Sequence, residues 1–104
     1  MITREEIQEL LESTGFPVAY NVFPKDEEHT PPFICWLITG NENFAADDVV
    51  YFKAPEVQAE LYTPLKNEDA EQRVEDALSA YFYNKDEGRL EDEEMYMVTY
   101  QLTM

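Results

Sequence analysis

The chain has 104 residues and a formal net charge of -16, from 23 Asp and Glu against 7 Lys and Arg. This charge disfavours binding to nucleic-acid phosphates and to anionic membranes, and it favours basic protein partners. Because 44% of the residues are hydrophobic and 13% are aromatic, the chain is expected to fold as a single domain, 1–104, rather than remain disordered.

The first predicted element is a helix from about Arg4 to Thr14. Thr3 and Glu6 have the spacing of a capping box, in which each side chain accepts a hydrogen bond from the backbone of the other. The apolar stripe that would face the core consists of Ile7, Leu10 and Leu11. Gly15 tolerates the left-handed conformation that follows many helices, so the helix is expected to stop there.

Strands are predicted from Val18 to Phe23 and from Phe33 to Ile38. The second of these is apolar without interruption, which is typical of a central strand. A polar loop, Lys25–Pro32, separates them. A further loop is predicted over Gly40–Asp48.

The chain then returns to strand over Val49–Lys53 and Glu56–Thr63. Pro55, between these segments, predicts a bulge or an edge position because proline cannot donate to a sheet ladder. In the second segment Val57, Ala59 and Leu61 alternate with polar residues, as on a half-buried strand.

A second helix is predicted over Asn67–Tyr83, a turn over Asn84–Gly88, and a final strand over Met95–Met104. The predicted fold is therefore α+β, with a mostly antiparallel sheet, two helices packed on one face, and the order α-β-β-β-α-β.

No pattern typical of catalysis is found, so the chain is predicted not to be an enzyme. Cys35 lies in the most apolar segment, where burial raises the pKa of a thiol and makes it unreactive, and His29 lies in a polar loop. Asn84, Asp86 and Gly88 lack the spacing of a calcium loop. No cofactor or metal site is predicted.

Interface residues are instead expected on the loops. Aromatic side chains beside acidic residues are candidates for contact with a partner, and both loops are long enough to reach neighbouring subunits. The candidate interface residues are Phe44, Asp47, Asp48, Tyr51, Phe52, Glu27 and Glu28. The aromatic residues Tyr81, Phe82, Tyr96 and Tyr100 are interpreted as core.

Two segments, Thr14–Tyr20 (TGFPVAY) and Glu60–Thr63 (ELYT), prompt a comparison with a known family. Together with Asn43–Asp47, Val50–Lys53 and Glu94–Tyr96, they resemble the small tail proteins of siphophages and prophages of Gram-positive bacteria. Members of that family are described as minor capsid, tail-completion or tail-terminator proteins. The resemblance extends over nearly the whole chain.

The resemblance implies a structural role without catalytic residues. Tail terminators form a ring, commonly of six subunits, on the finished tail tube and present a surface to the head connector. The implied partners are therefore further copies of this chain, tail-tube proteins and head-connector proteins, while DNA passes without specific binding. The implied locations are the bacterial host cytoplasm during assembly and then the virion tail.

An alternative reading is an acidic DNA mimic that inhibits a host DNA-binding protein. Such a protein would carry carboxylates spaced like phosphates along one face, whereas many acids here fall in loops or at helix ends. The N-terminus has no apolar signal core, which agrees with a cytoplasmic location, and no membrane partner is expected.

Overall fold

The structure, a computed structural model, describes residues 2–24, 29–46, 49–90 and 94–104, with the backbone alone for 41–46 and 49–52. The elements in chain order are β1 (Ile2–Thr3), α1 (Arg4–Glu12), β2 (Val18–Tyr20), β3 (Phe33–Ala46), β4 (Val49–Thr63), α2 (Glu68–Ala77), β5 (Tyr83–Leu90) and β6 (Met95–Thr103). The predicted α+β class is confirmed. The predicted order is wrong in lacking β1 and β5.

The sheet has the strand order β2-β3-β4-β6-β5, and the short strand β1 pairs with β4 beside this path. Strand β2 runs parallel to β3, with Val18 opposite Ile34, whereas the other pairs are antiparallel. The sheet is therefore mixed, and the prediction of a mostly antiparallel sheet did not anticipate the parallel pair. A tight hairpin can join only antiparallel strands, but residues 21–32 are long enough to return the chain to the start of β2.

Strand β4 is the centre of the sheet. It pairs with β3 along one side and with β6 along the other, with Leu61 opposite both Ile34 and Val98. The register between β3 and β4 shifts between Gly40 and Glu42, across from Pro55, which confirms the predicted bulge.

Helix α1 begins at the predicted cap, and α2 begins after Asn67, which caps it. The backbone N–H of Glu6 donates to Thr3 Oγ1 at 3.2 Å and the N–H of Thr3 donates to Glu6 Oε1 at 3.1 Å, so the capping box is confirmed. At α2 the N–H of Ala70 donates to Asn67 Oδ1 at 3.0 Å. Helix α2 ends at Ala77 rather than at Tyr83 as predicted.

The core lies between the helices and one face of the sheet. Its members from the helices and the C-cap of α2 are Ile7, Leu11, Ala70, Val74 and Leu78. Its strand members are Ile34, Trp36, Val57, Ala59, Leu61, Val98, Tyr100 and Leu102. The indole Nε1–H of Trp36 donates to Gln8 Oε1 at 2.7 Å, and Gln8 Nε2 donates to the carbonyl of Val18 at 2.9 Å. These bonds connect α1 to β2 and β3.

Candidate protein-binding surfaces

The opposite face of the sheet carries apolar side chains, and neither helix of the described residues packs on it. Directly paired strand residues project to the same side of a sheet, so the register defines three rows across β3, β4 and β6. The rows are Phe33, Tyr62 and Met97; Cys35, Glu60 and Thr99; and Leu37, Gln58 and Gln101. We call these residues the open face.

The open face carries apolar side chains in the rows on both sides of its middle row. Phe33, Leu37, Tyr62 and Met97 are all half-buried, although they lie outside the helix-facing core. The rings of Phe33 and Tyr62 stack with centroids 5.0 Å apart. Phe23 and His29 already cover part of this face at the Phe33 end, and Cys35 in its middle row is only 5% exposed. The half-buried side chains farther from that end, Leu37 and Met97, are typical of a surface that receives another element.

Glu60 is the one acid in the middle row of the open face. Its carboxylate accepts hydrogen bonds from Gln58 Nε2 at 3.0 Å and from the hydroxyl of Tyr62 at 3.2 Å. Among the described residues no Lys, Arg or His forms an ion pair with it. Glu60 is therefore a half-buried negative charge with neutral neighbours.

The neighbouring thiol responds to this environment. Burial and, secondarily, the negative charge of Glu60 raise the pKa of Cys35 from 9.0 to about 11. The predicted rise in the pKa of Cys35 is thus confirmed. A thiol with this pKa is almost entirely protonated at neutral pH and is a poor nucleophile.

A cleft of about 490 Å³ lies at one end of the open face. Phe23 lines it and makes an edge-to-face contact with Phe33, with ring centroids 5.5 Å apart. His29 and Cys35 both line this cleft, but no hydrogen bond between them is among those of the described residues, and the raised thiol pKa opposes activation. The lining suits an apolar side chain rather than a nucleophile–base pair.

The two edges of the sheet also expose large apolar side chains. At one edge, Phe82 directly precedes β5 and is 99% exposed. At the other edge, Val22 follows β2 and is 66% exposed, and Tyr20 within β2 is 37% exposed. Both edges therefore combine a strand with an unpaired side, as far as the described residues go, and an aromatic or aliphatic contact residue.

A network of charged groups holds β5 against α2 on the helix-covered side. Glu71, which is 3% exposed, accepts ion pairs from Lys66 Nζ at 2.8 Å and Lys85 Nζ at 2.7 Å. Lys85 also pairs with Glu75 Oε2 at 2.9 Å, and Lys66 pairs with Glu87. The network places its charges on the side of the sheet opposite Glu60.

These contacts change the pKa values of the groups involved. Hydrogen bonds with Glu71 and Glu87 raise the pKa of Lys66. Burial alone would raise the pKa of Glu75, but hydrogen bonds from Lys85 and Tyr100 outweigh it and the pKa is lowered. Lys66 and Glu75 are therefore charged at neutral pH, and the network supports the edge strand.

Three of the predicted interface residues, Phe44, Tyr51 and Phe52, lie in described strands. Phe44 lies in β3 and its Cα is opposite that of Tyr51 in β4, while Phe52 is opposite Asn43 and also Ile2 of β1. The loop predicted over Gly40–Asp48 is thus wrong up to Ala46, because strand pairing with β4 continues beyond the register shift at Gly40.

The remaining predicted interface residues cannot be placed. Glu27, Glu28, Asp47 and Asp48 lie outside the described residues. The structure therefore brings Phe44, Tyr51 and Phe52 onto one strand pair and leaves the four acids as sequence-based predictions.

Two features of the surfaces were missed by the sequence reasoning. Phe82 was assigned to the core of a helix that ends before it, and the turn predicted over Asn84–Gly88 is part of β5. The signal for β5 is the alternation of Tyr83, Lys85, Glu87 and Arg89, whose Cα partners Leu102, Tyr100, Val98 and Tyr96 face the helices. Because three of these four helix-side residues are charged, β5 lacks the apolar alternation by which a half-buried strand is usually predicted.

The described residues contain no group of three or more His, Cys, Asp or Glu arranged to hold a metal ion. Neither α1 nor α2, the helices of the described part, has the length and apolar character needed to cross a bilayer. Comparison with models of known protein families and with curated proteins finds no match for this chain.

Proposed function

We propose that this chain is a structural subunit of a phage tail, a tail terminator or tail-completion protein, that assembles into a ring on the tail tube. The family resemblance of the segments Thr14–Tyr20 and Glu60–Thr63 supports the placement on a tail. One observation supports self-assembly: the sheet exposes large apolar side chains at both of its edges, Phe82 beside β5 and Val22 beside β2.

A ring requires contact between two different patches on each subunit. Such head-to-tail contacts close when the rotation between neighbours divides a full turn. Strands β5 and β2 lie at opposite ends of the strand order, so the Phe82 edge of one copy can meet the Val22 edge of the next. Backbone pairing at sheet edges supplies hydrogen bonds, and the apolar side chains supply the desolvated contact.

The net charge of -16 suits a ring through which DNA passes. A lumen lined by carboxylates repels phosphates, so the duplex slides without binding. The acidic-decoy alternative is less well supported, because Glu71, Glu75 and Glu87 are paired with lysines inside the chain rather than presented to a partner.

The test is sedimentation of the purified chain over a range of concentrations, alone and with a tail-tube protein. We expect concentration-dependent oligomers, or rings on the tube ends by negative-stain microscopy. Phe82→Ser and Val22→Ser should each weaken assembly at least about tenfold, the loss of a well-packed contact residue. Leu65→Ser is the control, since Leu65 is 76% exposed in the segment between β4 and α2 and belongs to neither edge strand.

Mixing the two variants tests the head-to-tail arrangement. A mixture of Phe82→Ser and Val22→Ser retains one intact contact per pair, so it should form dimers that do not grow. A chain that stays monomeric alone and also fails to bind tail tubes would overturn the proposal. The neighbouring genes provide a second check, because they should encode tail-tube and head-connector proteins.

A further inference from the structure

The open face has an arrangement of charge that the ring contacts do not use. Glu60 lies in its middle row, half-buried, and its described hydrogen-bond donors are the neutral groups of Gln58 and Tyr62. A half-buried carboxylate is costly to desolvate fully unless a cation joins it. An element that covers Glu60 is therefore stabilised there if it brings a positive charge.

The rest of the open face specifies apolar contact. Phe33, Leu37 and Met97 are half-buried without belonging to the helix-facing core. The cleft of about 490 Å³ beside Phe33 adds a concave, largely apolar receptacle at one end. An occupant thus needs apolar residues along one stripe, a large apolar anchor near one end and a cation between them.

From this geometry we infer that the open face binds a basic amphipathic helix of a partner protein. A helix is about 10–12 Å wide with its side chains, and strands are about 4.8 Å apart, so one helix covers the three strands β3, β4 and β6. Apolar side chains at helical spacing meet the margins of the face, and an Arg or Lys of the same stripe reaches Glu60.

Charge disfavours either helix of a second copy as the occupant. The exposed residues of α1 include Glu5, Glu6, Glu9 and Glu12, and α2 begins with Glu68 and Asp69. Either helix would bring carboxylates towards Glu60, and like charges in a desolvated contact are strongly unfavourable. The inference is independent of the proposed ring, which uses the sheet edges.

The experiment uses fluorescein-labelled peptides about 18 residues long, or about five helical turns. One peptide has a Leu/Phe stripe that includes a single Arg, with Lys elsewhere. The second has the same composition in scrambled order, which removes the stripe but keeps the charge. We expect the amphipathic peptide to bind the full chain, by fluorescence anisotropy, at least about tenfold more tightly than the scrambled one.

Glu60→Gln and Glu12→Gln form a matched pair, because each removes one negative charge. Glu60→Gln should weaken binding about tenfold, the loss of one charge-assisted contact in a desolvated site, whereas Glu12→Gln on the exposed face of α1 should change it less than about twofold. Met97→Ser should weaken binding as well, and circular dichroism with urea unfolding will verify that each variant is folded.

Three results would overturn the inference. Equal binding of the two peptides would mean that the chain recognises only the net charge of the peptide. Equal effects of Glu60→Gln and Glu12→Gln would place the peptide elsewhere. Self-association that Met97→Ser abolishes, and that Phe82→Ser leaves intact, would assign the open face to a second copy.

Discussion

The hydroxyl of Tyr100 on β6 donates a hydrogen bond to Glu75 Oε2 on α2 at 2.9 Å, across the interface between helix and sheet. Tyr100 is fully buried, and the same carboxylate oxygen pairs with Lys85 of the edge strand. One carboxylate thus joins α2, β6 and β5. Among the described residues β5 has only β6 as a strand partner. The Glu75 contact therefore helps to hold β5, the edge strand that directly follows Phe82, against the sheet.

Tyr100→Phe should lower the free energy of unfolding by about 1.5 kcal/mol, since it removes only the hydrogen bond to a charged acceptor. Urea unfolding followed by circular dichroism measures this change. Tyr20→Phe is the control, because the described residues provide no hydrogen-bond partner for its hydroxyl and its ring is already part of the surface. Equal losses in the two variants would contradict the importance of the Glu75 contact.

Glu75→Gln should reduce the pH dependence of the free energy of unfolding in the acidic range. The pKa of Glu75 is lowered in the folded chain, so its contribution is fully present above the unfolded value of about 4.5 and is lost as the pH falls through the folded value. The difference in unfolding free energy between wild type and Glu75→Gln should be constant from about pH 7 to 5 and shrink below about pH 4.5. A difference that stays constant down to about pH 2.5 would be inconsistent with this assignment.

The lysines around Glu71 should matter more than Glu71 itself. The double variant Lys66→Met and Lys85→Met leaves a buried carboxylate without a cation, which should cost about 3 kcal/mol of unfolding free energy. Glu71→Gln should cost about 1 kcal/mol, because both lysines are partly exposed and regain water. Urea unfolding of the wild type, the double lysine variant and Glu71→Gln gives both losses of free energy. A larger loss in Glu71→Gln than in the double lysine variant would argue against a desolvated Glu71.

Gly15→Ala should destabilise the chain by about 1–2 kcal/mol. Gly15 has φ of +90°, and an added Cβ would overlap the guanidinium of Arg73, which lies over the ring of Phe16 at 4.5 Å from its centroid. Gly88→Ala is the matched control, because nothing lies within 4 Å of a Cβ built there. Thermal unfolding should show a lower midpoint for the first variant and an unchanged or slightly higher one for the second.

Cys35 should react slowly with iodoacetamide in the folded chain. Its pKa rises from 9.0 to about 11, so at pH 8 the reactive thiolate is about 100-fold scarcer than in the unfolded chain, and burial slows the reaction further. Mass spectrometry of alkylation with and without urea measures the ratio. Glu60→Gln should speed the native reaction modestly by removing one cause of the raised pKa. A native rate close to the unfolded rate would contradict the described burial.

Local patterns determined several elements of this fold. The spacing of Thr3 and Glu6 predicts the start of α1, and Pro55 predicts the irregularity in β4, because each depends on backbone bonds within a few residues. The interpretation of Tyr96 and Tyr100 as core agrees with the structure, in which Tyr100 is fully buried and Tyr96 packs against the core. The sequence analysis also predicted the rise in the pKa of Cys35 from its apolar neighbours.

The binding surfaces could not be predicted in the same way. From the alternation in β4, the sequence predicts that Glu60 lies on the side of the sheet opposite the core, and it predicts nothing further about the surroundings of Glu60. Whether that side is uncovered, and whether a cation stands beside the carboxylate, depends on how β3, β4 and β6 pair and where both helices pack. Phe82 is exposed because α2 ends at Ala77 so that Tyr83 can enter β5, a long-range pairing that overrides the apolar pattern of the helix.

The sequence by itself therefore determined the acidic charge, the helix caps and the apolar periodicities, since these depend on residue identity and near neighbours. The tertiary structure decided the parallel pairing of β2 with β3, the strand character of β5 and the location of the open face. Those features arise from contacts between residues far apart in the chain, whose free energy is gained only when the whole sheet is assembled.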